Sequence, residues 1–383
     1  MRILHLAFAG TDQAGVHRKL SEQVTSLRAH GAEVESLVVA DTRTAPAPCH
    51  APYRVIDVPG GGFDLPGRAT AFAQCLEAAQ TFAPDVVYLR YPIYDAEVQH
   101  FVRAAPPVVF ELQTIFRNEA SPQSAAAEAA WADRVLPMTS GLVGVTREIL
   151  DDELSRAARA APGCQLPGHV MPNGADPRTI PFMSPQLAED RVDLLCVASF
   201  YPWHGIDRLV VGFVSEPDVR DVHLHLVGDG PTVAALRALV NDAGMGHRIH
   251  FHGHVRVSEL GPWYARAHVA IGSLAPHRVG LRELAALKHR EYVLRGIPMI
   301  LAGGDADFTT ALPWFRQFPA DDSPISPRIL RALALGWSHE ARRRQIRQWA
   351  ESHVSWDAKI PLLLNFLQQC AARGAPHRDY VSA

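Results

Sequence analysis

The chain is organised around Glu283-Leu-Ala-Ala-Leu-Lys288-His-Arg290-Glu291-Tyr-Val-Leu-Arg-Gly296-Ile-Pro298. Seven residues separate its two glutamates, and Lys288 stands three positions before the second. Leu284, Leu287 and Leu294 recur at helical spacing and predict a helix over 284–294, which Gly296 and Pro298 stop. The apolar run Ile297–Ala302 then reads as a buried strand. Lys288 and Glu291 share one helix face. Glu283 falls just before the first turn, where unpaired backbone N–H groups favour an anion. Amides, an ammonium and two carboxylates are thereby offered to one neighbourhood. That set suits a ligand with phosphates beside polyhydroxyl groups: carboxylates accept from sugar hydroxyls, while lysine and amides take the phosphates. The same residues also fit a surface helix with an ordinary i,i+3 ion pair, so the remainder of the chain has to decide.

With 383 residues, 48% hydrophobic and 20% charged, the chain is long enough for two domains with their own cores. A net charge of −3 supplies no global field for nucleic acid, and no nucleic-acid partner is expected. Five scattered cysteines (Cys49, Cys75, Cys164, Cys196, Cys370) show neither a disulfide framework nor a zinc pattern, as in a reducing compartment. The opening Met1-Arg-Ile-Leu-His-Leu-Ala-Phe-Ala-Gly10 reads as a first strand rather than a signal peptide. No apolar run approaches the roughly 18 residues of a membrane-spanning helix. The expectation is a cytoplasmic protein.

From the amino terminus, Ile3–Phe8 has a buried-strand pattern, a polar loop runs through Gly15, an amphipathic helix covers 16–30, and Ala32–Val39 is the next strand. This order is a Rossmann-like opening, but G-x-G-x-x-G is absent, which disfavours a dinucleotide dehydrogenase. Loops are expected at 42–52 and 59–67, a helix at 68–82, and strands at 84–90 and 107–111. The turn Pro172-Asn173-Gly174-Ala175-Asp176 precedes a second strand–helix series, beginning at Asp193–Ser199 and the loop Phe200-Tyr-Pro-Trp-His204-Gly205-Ile-Asp207. Further strands follow at Val222–Val227, closed by Gly228-Asp-Gly-Pro231, at 249–255, and at 269–274. His250, His252 and His254 alternate along one strand and His223 and His225 along another. Imidazoles are common zinc ligands, but neither alternating run, 222–227 or 249–255, contains a carboxylate or cysteine. The arginines 342, 343, 344 and 347 beside Trp349 fit either a solvated basic helix face or an anionic membrane contact.

The E-x7-E spacing, the K-x-x-E-Y run and the closing G-I-P resemble the donor-binding helix of the retaining glycosyltransferases of family 4 (glycosyl transferases group 1). These have the GT-B fold, two Rossmann-like parallel-sheet domains facing across a cleft. Other blocks are similar in order: Pro84-Asp-Val-Val-Tyr-Leu-Arg90, Pro107-Val-Val-Phe-Glu111, the segment 129–142 as a last strand of the first sheet, the Pro172–Asp176 hinge, and the 249–264 block. The resemblance implies an α/β chain with an acceptor-side domain at 1–181, a nucleotide-sugar domain at 182–355, and a carboxyl-terminal helix at 356–383 that packs back on the first domain.

It also implies the chemistry: retaining, metal-independent transfer of a sugar from a UDP- or GDP-sugar to a hydroxyl of a glycan, lipid-linked or small-molecule acceptor. No cofactor or metal is implied; the nucleotide sugar is a co-substrate. The setting implied is bacterial cell-surface polysaccharide assembly, with peripheral contact at the inner membrane face. Glu283 would hold donor-sugar hydroxyls and Glu291 the ribose. The diphosphate would lie at the helix start with Lys288 and His204, near Gly205 and Ser199, helped by Arg282 or Arg290. Gly228, His254 and Val255 would flank the nucleotide, and Gly15 and Gln113 would line the cleft from the first domain. Four positions depart from the family pattern. Gln113 stands where many relatives have histidine, Ser199 for arginine, His204 for lysine, and Leu284-Ala-Ala for a glycine-rich segment. With two cations missing, Lys288 becomes the main positive charge for the diphosphate, and a neutral His204 can only donate a hydrogen bond. An inactive GT-B module that binds a partner or a sugar nucleotide, and a sugar-nucleotide epimerase of similar fold, remain as alternatives.

Overall fold

A computed structural model describes residues 1–10, 13–43, 51–58, 65–90, 93–337 and 339–374. The loops expected at 42–52 and 59–67 fall largely outside these residues, as does Cys49. Two compact units are present: Met1–Gly174 together with the chain from Trp356, and Ala175–Ser355. The first division precedes residue 181, because Ala175 already bridges Ser355 and its N–H donates to the Val354 carbonyl at 3.1 Å.

The first unit runs β1 (Arg2–Phe8), α1 (Ala14–Ala29), β2 (Glu33–Ala40), β3 (Arg54–Asp57), α2 (Leu65–Phe82), β4 (Val86–Arg90), α3 (Ala96–Ala104), β5 (Val108–Leu112), α4 (Phe116–Glu119), α5 (Pro122–Val135), β6 (Gly141–Gly144), α6 (Arg147–Ala160) and β7 (Gly168–Val170). Its seven strands are parallel in the order β3-β2-β1-β4-β5-β6-β7. Parallel strands are covered by helices on both faces, so they are apolar without alternation. Leu4, Leu6, Val87 and Val109 are accordingly buried on neighbouring strands. Short polar residues start the helices: Asp95 accepts from Val98 N–H at 2.9 Å, and Thr146 from Ile149 N–H at 3.2 Å. The segment 129–142, expected as a strand, is mainly helix. α5 continues to Val135, and only from Gly141 does the chain join the sheet, which extends one strand further to β7.

The second unit runs β8 (Val192–Val197), α7 (Ile206–Ser215), β9 (Val222–Val227), α8 (Val233–Asp242), β10 (Ile249–Gly253), α9 (Gly261–Arg266), β11 (Val269–Ile271), α10 (Leu287–Leu294), β12 (Met299–Ala302), β13 (Phe315–Phe318), α11 (Pro327–Trp337) and α12 (Glu340–His353). Six parallel strands follow the order β10-β9-β8-β11-β12-β13. Leu194, Leu224, Leu209, Phe213 and Leu330 pack one face of this sheet, and Leu195, Tyr292, Met299, Leu301 and Ile346 the other. Each fully buried side chain of this size contributes about 1.5–3 kcal/mol. The final helix, α13 (Trp356–Arg373), returns to the first unit, where Trp356, Ile360, Leu363 and Leu367 pack with Ile3, Val24 and Tyr88.

The helix expected over 284–294 begins only at Leu287. Glu283 forms a parallel bridge with Gly304, and Leu284 N–H donates to the Gly304 carbonyl at 2.9 Å. That pairing holds 283–286 extended along the end of β12. α1 departs in the other direction: it begins at Ala14, so Gly15 lies in its first turn rather than in the preceding loop.

Candidate functional site

Strand order decides where the second unit can hold a ligand. β8 connects outward through β9 to β10, whereas β11 leads the other way to β12 and β13. The loops leaving the carboxyl ends of β8 and β11 therefore diverge, and in open parallel sheets that switch point is the binding crevice. The two loops are 198–205 and 272–286. They carry or adjoin Ser199, His204, Gly205, Arg282, Glu283 and Lys288.

The first loop is rigid. Leu274 N–H donates to the His204 carbonyl at 3.1 Å and Ala275 N–H to the Trp203 carbonyl at 3.0 Å. Gly205 has φ 61°, and a Cβ there would stand 2.9 Å from Ala275 Cβ, so only glycine lets the loops approach this closely. His204 is buried, and its Nδ1 accepts from Tyr201 N–H at 3.0 Å. Burial, with Lys288 nearby, holds its pKa well below the ordinary value. His204 is therefore neutral with its proton on Nε2, a ready donor to an anion. Ser199 is exposed in the same loop. Gly228 backs directly onto it, since a Cβ there would lie 1.9 Å from the Ala198 carbonyl oxygen. Gly228 N–H donates to the Gly253 carbonyl at 2.7 Å, tying in the loop where His254 is exposed and Val255 half-buried.

α10 enters the same crevice. Its first turn has no side-chain cap, and with His289 N–H donating to the Ala286 carbonyl at 3.1 Å, the N–H groups of Leu287 and Lys288 remain for an anion. Lys288 is half-buried; its Nζ lies 4.0 Å from Cys196 Sγ on β8, and no carboxylate among the described residues is within ion-pair distance. Burial lowers its pKa below the usual lysine value. The neighbouring His289 anchors the helix: Nδ1 donates to Asp305 at 2.9 Å, and Nε2 accepts from Ser273 N–H at 3.2 Å. Glu291 follows Lys288 by about one turn and is half-buried, as is Glu283.

Models of two families match the chain, "Glycosyl transferase 4-like domain" over residues 14–174 and "Glycosyl transferases group 1" over residues 191–306. The chain belongs to the group 1 glycosyltransferases. No curated protein matches this glycosyltransferase in sequence. Among solved structures it is similar to sucrose-phosphate synthase from Thermosynechococcus elongatus, with 17% identity, TM-score 0.69, and 97% of this chain and 100% of that one covered. It is similar also to HepE of Anabaena in complex with UDP, with 16% identity, TM-score 0.66, and 96% and 100% covered. A third is WaaG, a glycosyltransferase involved in lipopolysaccharide biosynthesis, with 16% identity, TM-score 0.62, and 95% and 99% covered. These likenesses establish the GT-B fold of this glycosyltransferase.

Its first unit places Gly15 exposed in the first turn of α1 and Gln113 just past β5. The Gln113 Nε2 is enclosed with no hydrogen-bond partner among the described residues. Two residues earlier, Glu111 is buried in an ion pair with Lys19 at 2.5 Å and accepts from Gln23 at 3.1 Å. Its carboxyl is held below the usual range: the Lys19 ammonium and the Lys19 and Gln23 hydrogen bonds outweigh the opposing effect of burial.

Arg290, read from the sequence as a helper for the diphosphate, is turned away from that task. Its guanidinium is fully buried and bidentate on Asp305, at 2.5 and 2.7 Å, and also engages Asp307. Arg282 remains exposed. A different arginine, overlooked in the sequence, shapes the crevice. Arg278 grips Asp207 with both terminal nitrogens at 2.7 Å and donates to the Pro202 carbonyl at 3.2 Å, joining the β11 loop to the start of α7. Buried Arg208 donates to the carbonyls of Leu274, Pro319 and Ser323.

The histidines of β9 and β10 stack. His223 and His250 rings lie 5.5 Å apart at 5°, His225 and His252 rings 5.3 Å apart at 23°. A carboxylate does join them, because β8 brings Asp193 to 3.1 Å from His225. Among the described residues, however, no group of three or more His, Cys, Asp or Glu is arranged to hold a metal ion. Two arginines of the basic stretch on α12 are committed inward, and a third pairs at the surface. Arg343 donates to the Tyr264 and Ala267 carbonyls, Arg347 to those of Pro177, Ile180 and Leu294, and Arg344 pairs with Glu340. No helix among the described residues is long and apolar enough to cross a membrane.

Proposed function

We propose that the protein transfers a sugar from a UDP-sugar to a hydroxyl of a glycan or lipid-linked acceptor, with retention of anomeric configuration and without a metal, in the assembly of a cell-surface polysaccharide. The carrying observation is the pairing, at one switch point, of an uncapped helix start with a lysine that no carboxylate neutralises among the described residues. That arrangement awaits an anion. A nucleoside diphosphate fits, with Glu291 for the ribose and Glu283 for the sugar. Uridine is favoured over guanosine because a similar fold, HepE of Anabaena, is solved with UDP.

In the reaction the bond from the anomeric carbon to the diphosphate oxygen breaks, and negative charge develops on the leaving phosphate. Lys288, the α10 amides and the Nε2 proton of His204 stabilise that charge, which supplies most of the rate enhancement in such a step. The acceptor oxygen attacks from the face the phosphate leaves, and its proton passes to the departing phosphate oxygen.

Thermal melting with UDP, GDP, ADP and CMP, without metal, tests this reading in wild type and Glu291→Ala. A ligand at about a hundred times its Kd adds about 2.7 kcal/mol to the folded state. UDP is expected to raise Tm by several degrees in wild type and not in the variant. If no nucleotide moves the wild-type Tm, the reading fails; a new sugar-nucleotide isomer from the donor alone would make the enzyme an epimerase.

A further inference from the structure

The loop that carries His204 also carries an aromatic pair to which the donor chemistry gives no task. Tyr201 and Trp203 stack face to face, with centroids 4.5 Å apart and planes within 5°. Tyr201 is 41% exposed, the adjacent Pro202 is exposed and Trp203 half-buried. The core beneath is filled by Phe200 and Ile206, so packing does not require the pair. We propose that the Tyr201–Trp203 stack is a saccharide platform that takes one pyranose ring of the acceptor.

Three features carry this, and it rests on the glycosyltransferase reading above. First, the platform is preorganised. Its backbone is held by Tyr201 N–H to His204 Nδ1, by Ala275 N–H to the Trp203 carbonyl, and by Gly205 N–H and Arg278 to the Pro202 carbonyl. The grip of Arg278 on Asp207 fixes the loop's far end. A ligand that docks there pays little ordering entropy. Second, its chemistry matches a sugar. One face of a pyranose presents weakly positive C–H groups, which complement the negative face of an aromatic ring. The Trp203 indole N–H has no partner among the described residues, leaving a donor at the platform's edge for a hydroxyl. Third, the donor is already provided for. His204, Lys288, Glu283 and Glu291 are buried or half-buried, and the exposed Tyr201, backed by the half-buried Trp203, is left for the second substrate.

Saturation-transfer NMR on the full chain with UDP present tests the proposal. The probes are the methyl glycosides of glucose, galactose, mannose and N-acetylglucosamine, on wild type, Tyr201→Ala and Tyr201→Phe. At least one glycoside is expected to bind wild type and Tyr201→Phe. It should bind Tyr201→Ala about two- to tenfold more weakly, the range for loss of one stacking partner. The UDP-induced rise in Tm should be the same in all three. Absence of binding by every glycoside, or equal binding to Tyr201→Ala, overturns the platform. Loss of the UDP effect in Tyr201→Ala also overturns it, because the stack then serves the nucleotide. If a glycoside binds in a Tyr201-dependent manner while UDP moves no Tm, the platform stands and the donor reading falls.

Discussion

Replacing Lys288 by alanine removes an ammonium at the start of α10 that lies 4.0 Å from Cys196 Sγ and has no carboxylate partner among the described residues. Hydrogen bonds to a charged group contribute about 1.5–3 kcal/mol, and neutral ones about 0.5–1.5 kcal/mol. His204 is neutral and donates only through Nε2, so its bond to the phosphate is charged on the acceptor side alone. It falls at the low end of the first range, about 1.5 kcal/mol, whereas the ammonium, charged on both sides of the bond, falls in the upper half. With about 1.4 kcal/mol per factor of ten, Lys288→Ala should lower kcat/KM for the UDP-sugar by about 30- to 100-fold, and His204→Ala by about 10-fold. The assay is steady-state release of UDP, with acceptor and, as slow hydrolysis, without it. The pH profile supplies a second check. Burial lowers the Lys288 pKa from the usual lysine value, and kcat/KM reports the free enzyme. As pH rises through that lowered pKa the ammonium loses its charge, so activity should begin to fall at a pH below about 10.4. Lys288→Arg, which stays charged, should move that alkaline limb upward. Equal losses in the two alanine variants, or a larger loss for His204→Ala, would refute the assignment of the main phosphate charge to Lys288.

Two predictions concern stability. His5 is buried in the first unit against Ser36, and burial lowers its pKa to about 4. Below the ordinary histidine pKa of about 6.5 the unfolded chain takes up a proton that the folded one refuses. The stability contributed by neutral His5 is complete above that value and is lost as pH falls toward about 4. Urea unfolding should show wild type about 2 kcal/mol less stable at pH 5 than at pH 7.5 from this residue, and His5→Phe should remove that portion; an unchanged pH dependence in the variant would exclude the cause. Arg290→Ala should cost about 3–5 kcal/mol, because it takes the cation from the buried Asp305 carboxylate and leaves it, among the described residues, only the His289 and Asp307 N–H groups. A wild-type Tm for that variant would show that Arg290 is not committed to Asp305.

Much of the architecture was legible before any coordinates. Ile3–Phe8 and the Val86–Arg90 region read as strands because parallel strands buried on both faces require nearly continuous apolar runs, whereas Val222–Val227 shows its strand as an alternation of apolar residues with His223 and His225. The donor helix was legible from its leucine spacing and its Gly-x-Pro stop, but its start was not. Glu283 to Ala286 would continue the helical pattern, and only the bridge to Gly304, after another strand, draws them out. The segment 129–142 misled for a related reason: its apolar residues serve first the buried side of α5 and only then a short strand.

By itself, then, the sequence determined two strand–helix series, a junction near Pro172–Asp176, and a helix offering Lys288 and Glu291 on one face. Tertiary structure alone decided which charges are available to a ligand. Arg290 and Lys288 are two residues apart on one helix, yet Asp305 and Asp307 neutralise the first, while the second faces a cysteine. Arg278 looks like an ordinary surface arginine until folding brings Asp207 and Pro202 to it. Local sequence sets backbone preference and the periodicity of burial. The partner of a charged side chain comes from a distant strand or loop, and only the packed chain brings the two within hydrogen-bonding reach.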